Sequence, residues 1–288
     1  MKTLELSLAQ SPASIEADPP SGLRSWLLVL HRCNPALSWG GWVHVPLLLA
    51  ALLLLPFDDR TVTGLNVWIK PIKFALAGIV FLWSLAWLLA DLPGAAQRAV
   101  RWISRGVALS MVVEIVCIFI QAARGTTSHF NLGSAFDGMI FGVMGIFITL
   151  STGLLLWALV LMLRYRPFGP AAYVWGMRLG LLLFLVGSAV GSSMVSRMGH
   201  TVGAPDGGPG LPVLGWSTRY GDLRAAHFLG LHALQVLPLA GWLLARWRPN
   251  LTRSAQTLAI FLFALLYAGA VGLLYWRAVS GLPLLALR

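Results

Sequence analysis

The chain has 288 residues, of which 58% are hydrophobic and 11% are charged, and its mean hydropathy is +0.78. Soluble domains carry about 25% charged residues, so this composition excludes an ordinary soluble protein. A formal net charge of +11 would suggest a nucleic-acid partner in a soluble protein. Here the basic residues cluster at the ends of apolar segments, where they set the orientation of the protein in the membrane. We therefore expect no nucleic-acid partner.

The N-terminal part of the chain differs from the rest. Residues 1–22 are polar and contain three prolines, which predicts a disordered tail. Apolar residues with helical spacing follow from Leu23 to Leu30 and predict a short interfacial helix. The remainder, residues 23–288, is predicted to be a single transmembrane domain.

Seven apolar segments occupy most of that domain. Each is close to or longer than the roughly 20 residues that a membrane-spanning helix needs. The sequence therefore predicts an all-α integral membrane protein, a seven-transmembrane helix bundle in the lipid bilayer. The predicted helices cover about 39–57, 69–91, 100–124, 138–164, 172–195, 223–246 and 256–280.

Clusters of arginine predict the orientation of this bundle. They follow the second, fourth and sixth segments, near Arg98, Arg164 and Arg248. Because basic residues in short loops favour the cytoplasmic side, the N-terminus should be cytoplasmic and the C-terminus outside. The expected location is the inner (plasma) membrane of a bacterial-type cell.

The long loop between the fifth and sixth segments, residues 196–224, is rich in glycine and proline and should face outward. Long loops inside compact domains are usually binding loops or lids, so this one is predicted to cover a site. In the fifth segment, Gly187, Ser188, Gly191 and Ser192 favour close packing between helices of the same chain over a dimer interface.

The third segment carries the most informative pattern of the chain. Five polar residues recur at helical spacing and fall within an arc of about 80° on one face. A carboxylate in a membrane helix is costly and normally faces the bundle interior at a functional site. The stripe consists of Ser110, Glu114, Cys117, Gln121 and Arg124.

The sixth segment has a second polar face, formed by Arg224, His227, His232 and Gln235. Counting about 1.5 Å per residue from the outer surface places His232 at the depth of Glu114. We therefore expect Glu114 to contact His227 or His232, directly or through one water, and these three residues are the predicted catalytic or proton-carrying groups.

Further residues are candidates for ligand binding. Arg124, Arg224 and Lys73 could hold an anionic group, with Gln121 and Gln235 as polar neighbours. Lys70 and Lys73 open the second segment at its outer end, against the usual charge bias, and either extend toward lipid headgroups or bind an anion.

Four histidines on the outer half could bind a metal: His129, His200, His227 and His232. Imidazoles with nearby carboxylates suit a transition metal. His227 and His232 are five residues apart and so diverge on a helix, unlike the i, i+4 pair of a helical zinc motif. Haem b, with two histidine ligands on the outer half, ranks behind a transition metal.

Three functions are consistent with these features. The first is a membrane-embedded, metal-assisted enzyme that acts on a lipid or small-molecule amphiphile at an outward-facing polar site. The second is a proton-coupled transporter that uses Glu114 and His232. The third is a membrane scaffold or assembly factor whose polar residues only hold helices together. The sequence identifies neither the substrate nor the oligomeric state.

Overall fold

The computed structural model describes residues 22–284 and shows an all-helical protein with seven long apolar helices. The predicted seven-helix bundle is thereby confirmed. Two pairs of short antiparallel strands, β1–β2 and β3–β4, lie in the connecting loops. The helices are α1 (Leu23–Cys33), α2 (Pro35–Leu54), α3 (Ile69–Ala90), α4 (Gln97–Ala123), α5 (Ala135–Arg164), α6 (Ala171–Arg197), α7 (Leu223–Trp247) and α8 (Arg253–Val279); the strands are β1 (Thr61–Val62), β2 (Leu65–Asn66), β3 (Thr201–Val202) and β4 (Gly221–Asp222).

Local caps explain where the helices begin. The side chain of Asn34 accepts a hydrogen bond from the backbone N–H of Leu37, and Pro35 occupies the first turn, so α2 begins before the predicted residue 39. Thr252 caps α8 in the same way and moves its start ahead of residue 256. Hydrophobicity locates a span, but short polar caps at its edge set the first residue.

The predicted N-terminal helix is present as α1. Trp26 of this helix stacks on Trp87 near the end of α3, with ring centroids 5.0 Å apart, and Leu30 is fully buried. The helix is therefore fixed to the bundle by apolar contacts. The disordered tail predicted for residues 1–22 lies outside the described residues, apart from Gly22.

The bundle has two different ends. We call the end at which α2, α4, α6 and α8 finish the loop end, because the loops 55–68, 124–134 and 198–222 lie there. We call the opposite end, with the arginine clusters, the basic end. The main apolar core belongs to the basic half, where Leu37, Leu89, Met162 and Met177 are buried together. Buried polar side chains occur toward both ends of the bundle.

Helices α6 and α7 make the most extensive helix–helix contact of the bundle. Glycines allow it: a Cβ atom on Gly187 would meet the backbone of Gly230, and a Cβ on Gly230 would meet the backbone of Gly187. Gly191 lies directly against the ring of His227. Gly187 and Gly191 of the fifth predicted segment thus serve packing within the chain, as their spacing indicated.

The orientation of the bundle stays a prediction. We expect single cysteines placed at Arg98, Arg164 and Arg248 to react with a membrane-impermeant thiol reagent from the cytoplasmic side only, because basic short loops are retained there. Cysteines placed at Asp59 and Gly208 should react from the outside. Cytoplasmic labelling at Gly208 would reverse the assignment.

Candidate functional site

The polar stripe of the third predicted span lies on α4 and is buried over most of its length. Ser110, Glu114, Cys117 and Gln121 are all buried, whereas Arg124 lies at the end of the helix with a 40% exposed side chain. Glu114 is 7% exposed. It lies about two and a half turns, roughly 14 Å, inside the bundle from Ala123 at the loop end of α4.

Glu114 lies beside His129, which belongs to the loop between α4 and α5. The carboxylate Oε1 of Glu114 lies 3.6 Å from Nε2 of His129. On the other side of the imidazole ring, Nδ1 of His129 lies 3.1 Å from Nζ of Lys70 and 3.0 Å from Oγ of Ser128. A carboxylate, an imidazole and an amine from α4, the loop and α3 therefore form one continuous row.

His129 reaches this position because its loop turns inward. The next residue, Phe130, adopts a left-handed conformation with φ of +57° and packs with Val190 and Leu223 of α6 and α7. Phe74 and Phe141 contact the ring of His129, with centroid distances of 5.9 and 6.5 Å. The polar row is thus surrounded by aromatic side chains.

The surroundings of His129 keep its ring neutral. Burial disfavours the imidazolium form, and the positive charge of Lys70 opposes it further. His227 and His200, when charged, act in the same direction. Together these groups hold the pKa of His129 well below the ordinary histidine value.

The histidines of α7 have other hydrogen-bond and ring partners than Glu114. Within residues 22–284, no hydrogen bond or ion pair joins Glu114 to His227 or His232. Nδ1 of His227 donates to the carbonyl oxygen of Gly187 at 2.8 Å, and His232 lies against Phe228 with ring centroids 4.2 Å apart. The direct partner of Glu114 is His129. A role for His227 and His232 in chemistry stays a prediction.

Close packing determines which helices are neighbours. The glycine contacts draw α7 onto α6, whereas α4 packs on α2, α3 and α5. The inward turn of the loop at His129 and Phe130 then provides the side chain that meets Glu114. Equal depth in the membrane brings two residues into contact only if their helices are neighbours. Helices α4 and α7 are not principal neighbours.

Arg124 and Arg224, at the loop end, have carboxylate partners. Arg124 contacts Asp137 at 2.5 Å, and Gln121 donates to the same carboxylate at 2.8 Å. Arg224 contacts Asp222 at 2.7 Å and also donates to the carbonyl oxygen of Gly215. These contacts compensate the positive charges and fix the loops to the helices. Binding of an anionic substrate by Arg124 or Arg224 is untested and stays a prediction.

The loop 198–222 is folded over the loop end. Strands β3 and β4 pair within it, and Gly207 lies against Thr63 of the α2–α3 loop. Nζ of Lys73 donates to the carbonyl oxygens of Val213 and Leu214 at 3.0 and 3.1 Å. Lys73 therefore ties this loop to α3. Gln235 of α7 has a buried Oε1 atom without a hydrogen-bond partner among residues 22–284.

We expect Lys73→Met to loosen this loop, because the methionine side chain cannot donate to the two carbonyl oxygens. Val213 has a φ of +63°, which is strained for a β-branched residue, so the turn depends on its contacts. In detergent micelles, trypsin should cleave after the exposed Arg219 several times faster in the variant than in the wild type. Cleavage after Arg253 at the basic end is the internal control, and equal rates at Arg219 would contradict the role of Lys73.

The predicted metal-ligating histidines have separate partners. Nδ1 of His200 lies 3.0 Å from Asp206, His227 donates to Gly187, and His129 belongs to the row with Glu114. No three His, Cys, Asp or Glu side chains in the described part of the chain come together in an arrangement that could hold a metal ion. The predicted transition-metal site is therefore not assembled by these residues, whereas haem b stays a prediction.

Ser128 was not among the predicted site residues, and Lys70 was predicted only as a residue that extends toward lipid headgroups or binds an anion. The position of Lys70 at the loop end, against the usual charge bias, was the one signal in the sequence that could have identified it. Ser128 is nearly fully buried in a loop, which only the fold reveals.

No protein family, curated protein or solved structure matches this chain.

Proposed function

We propose that this chain is a membrane-embedded enzyme in which Glu114 is the acid–base group, and that it acts on a lipid or small amphiphile. The observation that carries the proposal is the state of the Glu114 carboxylate. It is buried inside the bundle, and its Oε2 has no hydrogen-bond partner within residues 22–284. A buried, unsatisfied carboxylate destabilises a fold, so its presence indicates a use for it.

Other buried polar residues of the bundle serve as a comparison. Nδ2 of Asn34 donates to Oγ of Ser104 at 2.7 Å, which joins α2 to α4. The hydroxyl of Tyr173 donates to Asp91 at 2.7 Å. Such pairs hold elements together and leave both partners satisfied. Glu114, at 3.6 Å from His129, makes no comparable hydrogen bond and is not explained as a structural contact.

The position of the row favours an amphiphilic substrate. Glu114 lies within a helix that is long and apolar enough to cross the bilayer, so a molecule that reaches it must enter the depth of the hydrocarbon. Phe74 and Phe141 form apolar walls beside His129, and Phe74 is partly open toward the exterior of the bundle. A polar headgroup with an apolar chain satisfies both surroundings.

Proton-coupled transport is the second candidate, because a buried carboxyl group beside an imidazole can also carry a proton across part of a membrane. Its path would have to continue toward the basic end. There, Phe81 of α3 stacks on Phe184 of α6 at 5.3 Å, within the main apolar core. This packing favours chemistry at one end of the bundle over passage through it.

The test uses purified full-length protein in lipid nanodiscs, incubated with a total polar lipid extract and followed by mass spectrometry. We expect the wild type to convert at least one lipid species and Glu114→Gln to lose the conversion. Asp59→Asn is the matched control, since it makes the same carboxylate-to-amide change at an exposed loop residue. Glu114-dependent proton flux in liposomes without any lipid conversion would replace the proposal with transport.

A further inference from the structure

The ring of His129 meets two hydrogen-bond donors at the same nitrogen. Nζ of Lys70 lies 3.1 Å and Oγ of Ser128 lies 3.0 Å from Nδ1. An ammonium group has three donors and no acceptor, and a hydroxyl can donate as well. Nδ1 must therefore accept, and a neutral ring then carries its proton on Nε2.

We propose that Lys70 and Ser128 are positioning residues that hold His129 as the neutral imidazole with its N–H on Nε2, so that His129 is a hydrogen-bond donor and Glu114 alone exchanges the proton. The role in catalysis rests on the proposed function, whereas the form of the ring is a property of the folded protein. Nε2 faces the side of the ring on which Glu114 lies.

The distance between Nε2 and Oε1 of Glu114 leaves this donor available. At 3.6 Å the contact is longer than a hydrogen bond, so the N–H of His129 can turn to an oxygen atom of a bound molecule. The free Oε2 of Glu114 can meet a proton of the same molecule or of a water beside it. Donor and base would then act on one substrate from adjacent positions.

The charged and titratable groups around His129 support this division of roles. Lys70 comes from α3, Glu114 from α4, His227 from α7 and His200 from the α6–α7 loop. Burial and the cationic Lys70 both disfavour a second proton on the ring. A neutral imidazole is a weaker base but remains a good N–H donor in a site that excludes water.

This arrangement defines the substrate further. A carboxylate base beside a neutral N–H donor suits a substrate in which an oxygen gains negative charge while a proton is removed nearby. A carbonyl or phosphoryl oxygen of an amphiphile has that property. Glu114 takes the proton and returns it in a later step, so the residue is unchanged after each turnover.

The experiment is ¹⁵N NMR of the histidine rings in full-length protein in nanodiscs, with the His129 signals assigned by their loss in His129→Gln. We expect one protonated and one unprotonated ring nitrogen at neutral pH, with the proton on Nε2. Lys70→Met should allow the ring to become doubly protonated or to move its proton to Nδ1. Lys70→Arg keeps a charged donor and should preserve the wild-type signals, and Asp59→Asn is the control for a change elsewhere at the loop end.

A doubly protonated ring, or a proton on Nδ1, in the wild type at neutral pH would overturn the inference. So would wild-type signals in a folded Lys70→Met protein. The proposed function fails separately, if Glu114→Gln retains lipid conversion while the NMR signals are as expected. If lipid conversion depends on Glu114 but the NMR signals show a charged His129 ring, only the present inference is overturned.

Discussion

Gly187→Ala and Gly230→Ala are expected to destabilise the protein strongly, each by about 1–3 kcal/mol, because a methyl group at either position meets the backbone of the facing helix. Backbone atoms cannot move aside as a flexible side chain can, so α6 and α7 must separate. The measurement is the midpoint of thermal unfolding in detergent micelles. Double substitution should prevent recovery of folded protein.

Two other helical glycines provide the matched controls. A Cβ atom on Gly142 of α5 or on Gly269 of α8 would meet no heavy atom within 4 Å. Alanine is favoured over glycine inside a helix by about 0.5–1 kcal/mol, so Gly142→Ala and Gly269→Ala should leave the midpoint unchanged or raise it. Equal losses at all four positions would show that the effect belongs to glycine in general and not to the contact between α6 and α7.

Much of the fold follows from the sequence because a bilayer imposes simple requirements. Apolar length predicts the spans, and the high cost of a carboxylate in hydrocarbon predicts that the face of α4 with Glu114 turns inward. Both expectations are confirmed. The first residues of α2 and α8 were less well predicted, since Asn34 and Thr252 extend these helices through local hydrogen bonds at their caps.

The partner of Glu114 could not be predicted in the same way. It depends on which helices are neighbours, and that is decided by glycine contacts such as Gly187 with Gly230. It also depends on the left-handed conformation of Phe130, which directs a loop into the bundle. His129 was a candidate only as a metal ligand, because a residue in a loop carries no helical depth that could be counted from the sequence.

Glu114→Gln and Asp137→Asn are expected to have opposite consequences, although both change a carboxylate to an amide on the same half of the bundle. The Asp137 carboxylate accepts hydrogen bonds from Arg124, Gln121 and Ser134. These contacts join the beginning of α5 to the end of α4. Hydrogen bonds to charged groups contribute about 1.5–3 kcal/mol, so Asp137→Asn should lower the unfolding midpoint clearly. It should reduce activity only in proportion to the loss of folded protein.

Glu114 has no such bonds to lose. Glutamine keeps its shape and removes a buried charge, so Glu114→Gln should leave the unfolding midpoint unchanged or raise it. The same variant should lose at least a hundredfold in lipid conversion, since general acid–base groups contribute about 10²–10⁴-fold. Thermal unfolding and lipid conversion measured on the same nanodisc preparations decide the matter. A destabilised but active Glu114→Gln protein would identify Glu114 as a structural residue, because a group retained for chemistry is the one whose replacement costs activity and spares the fold.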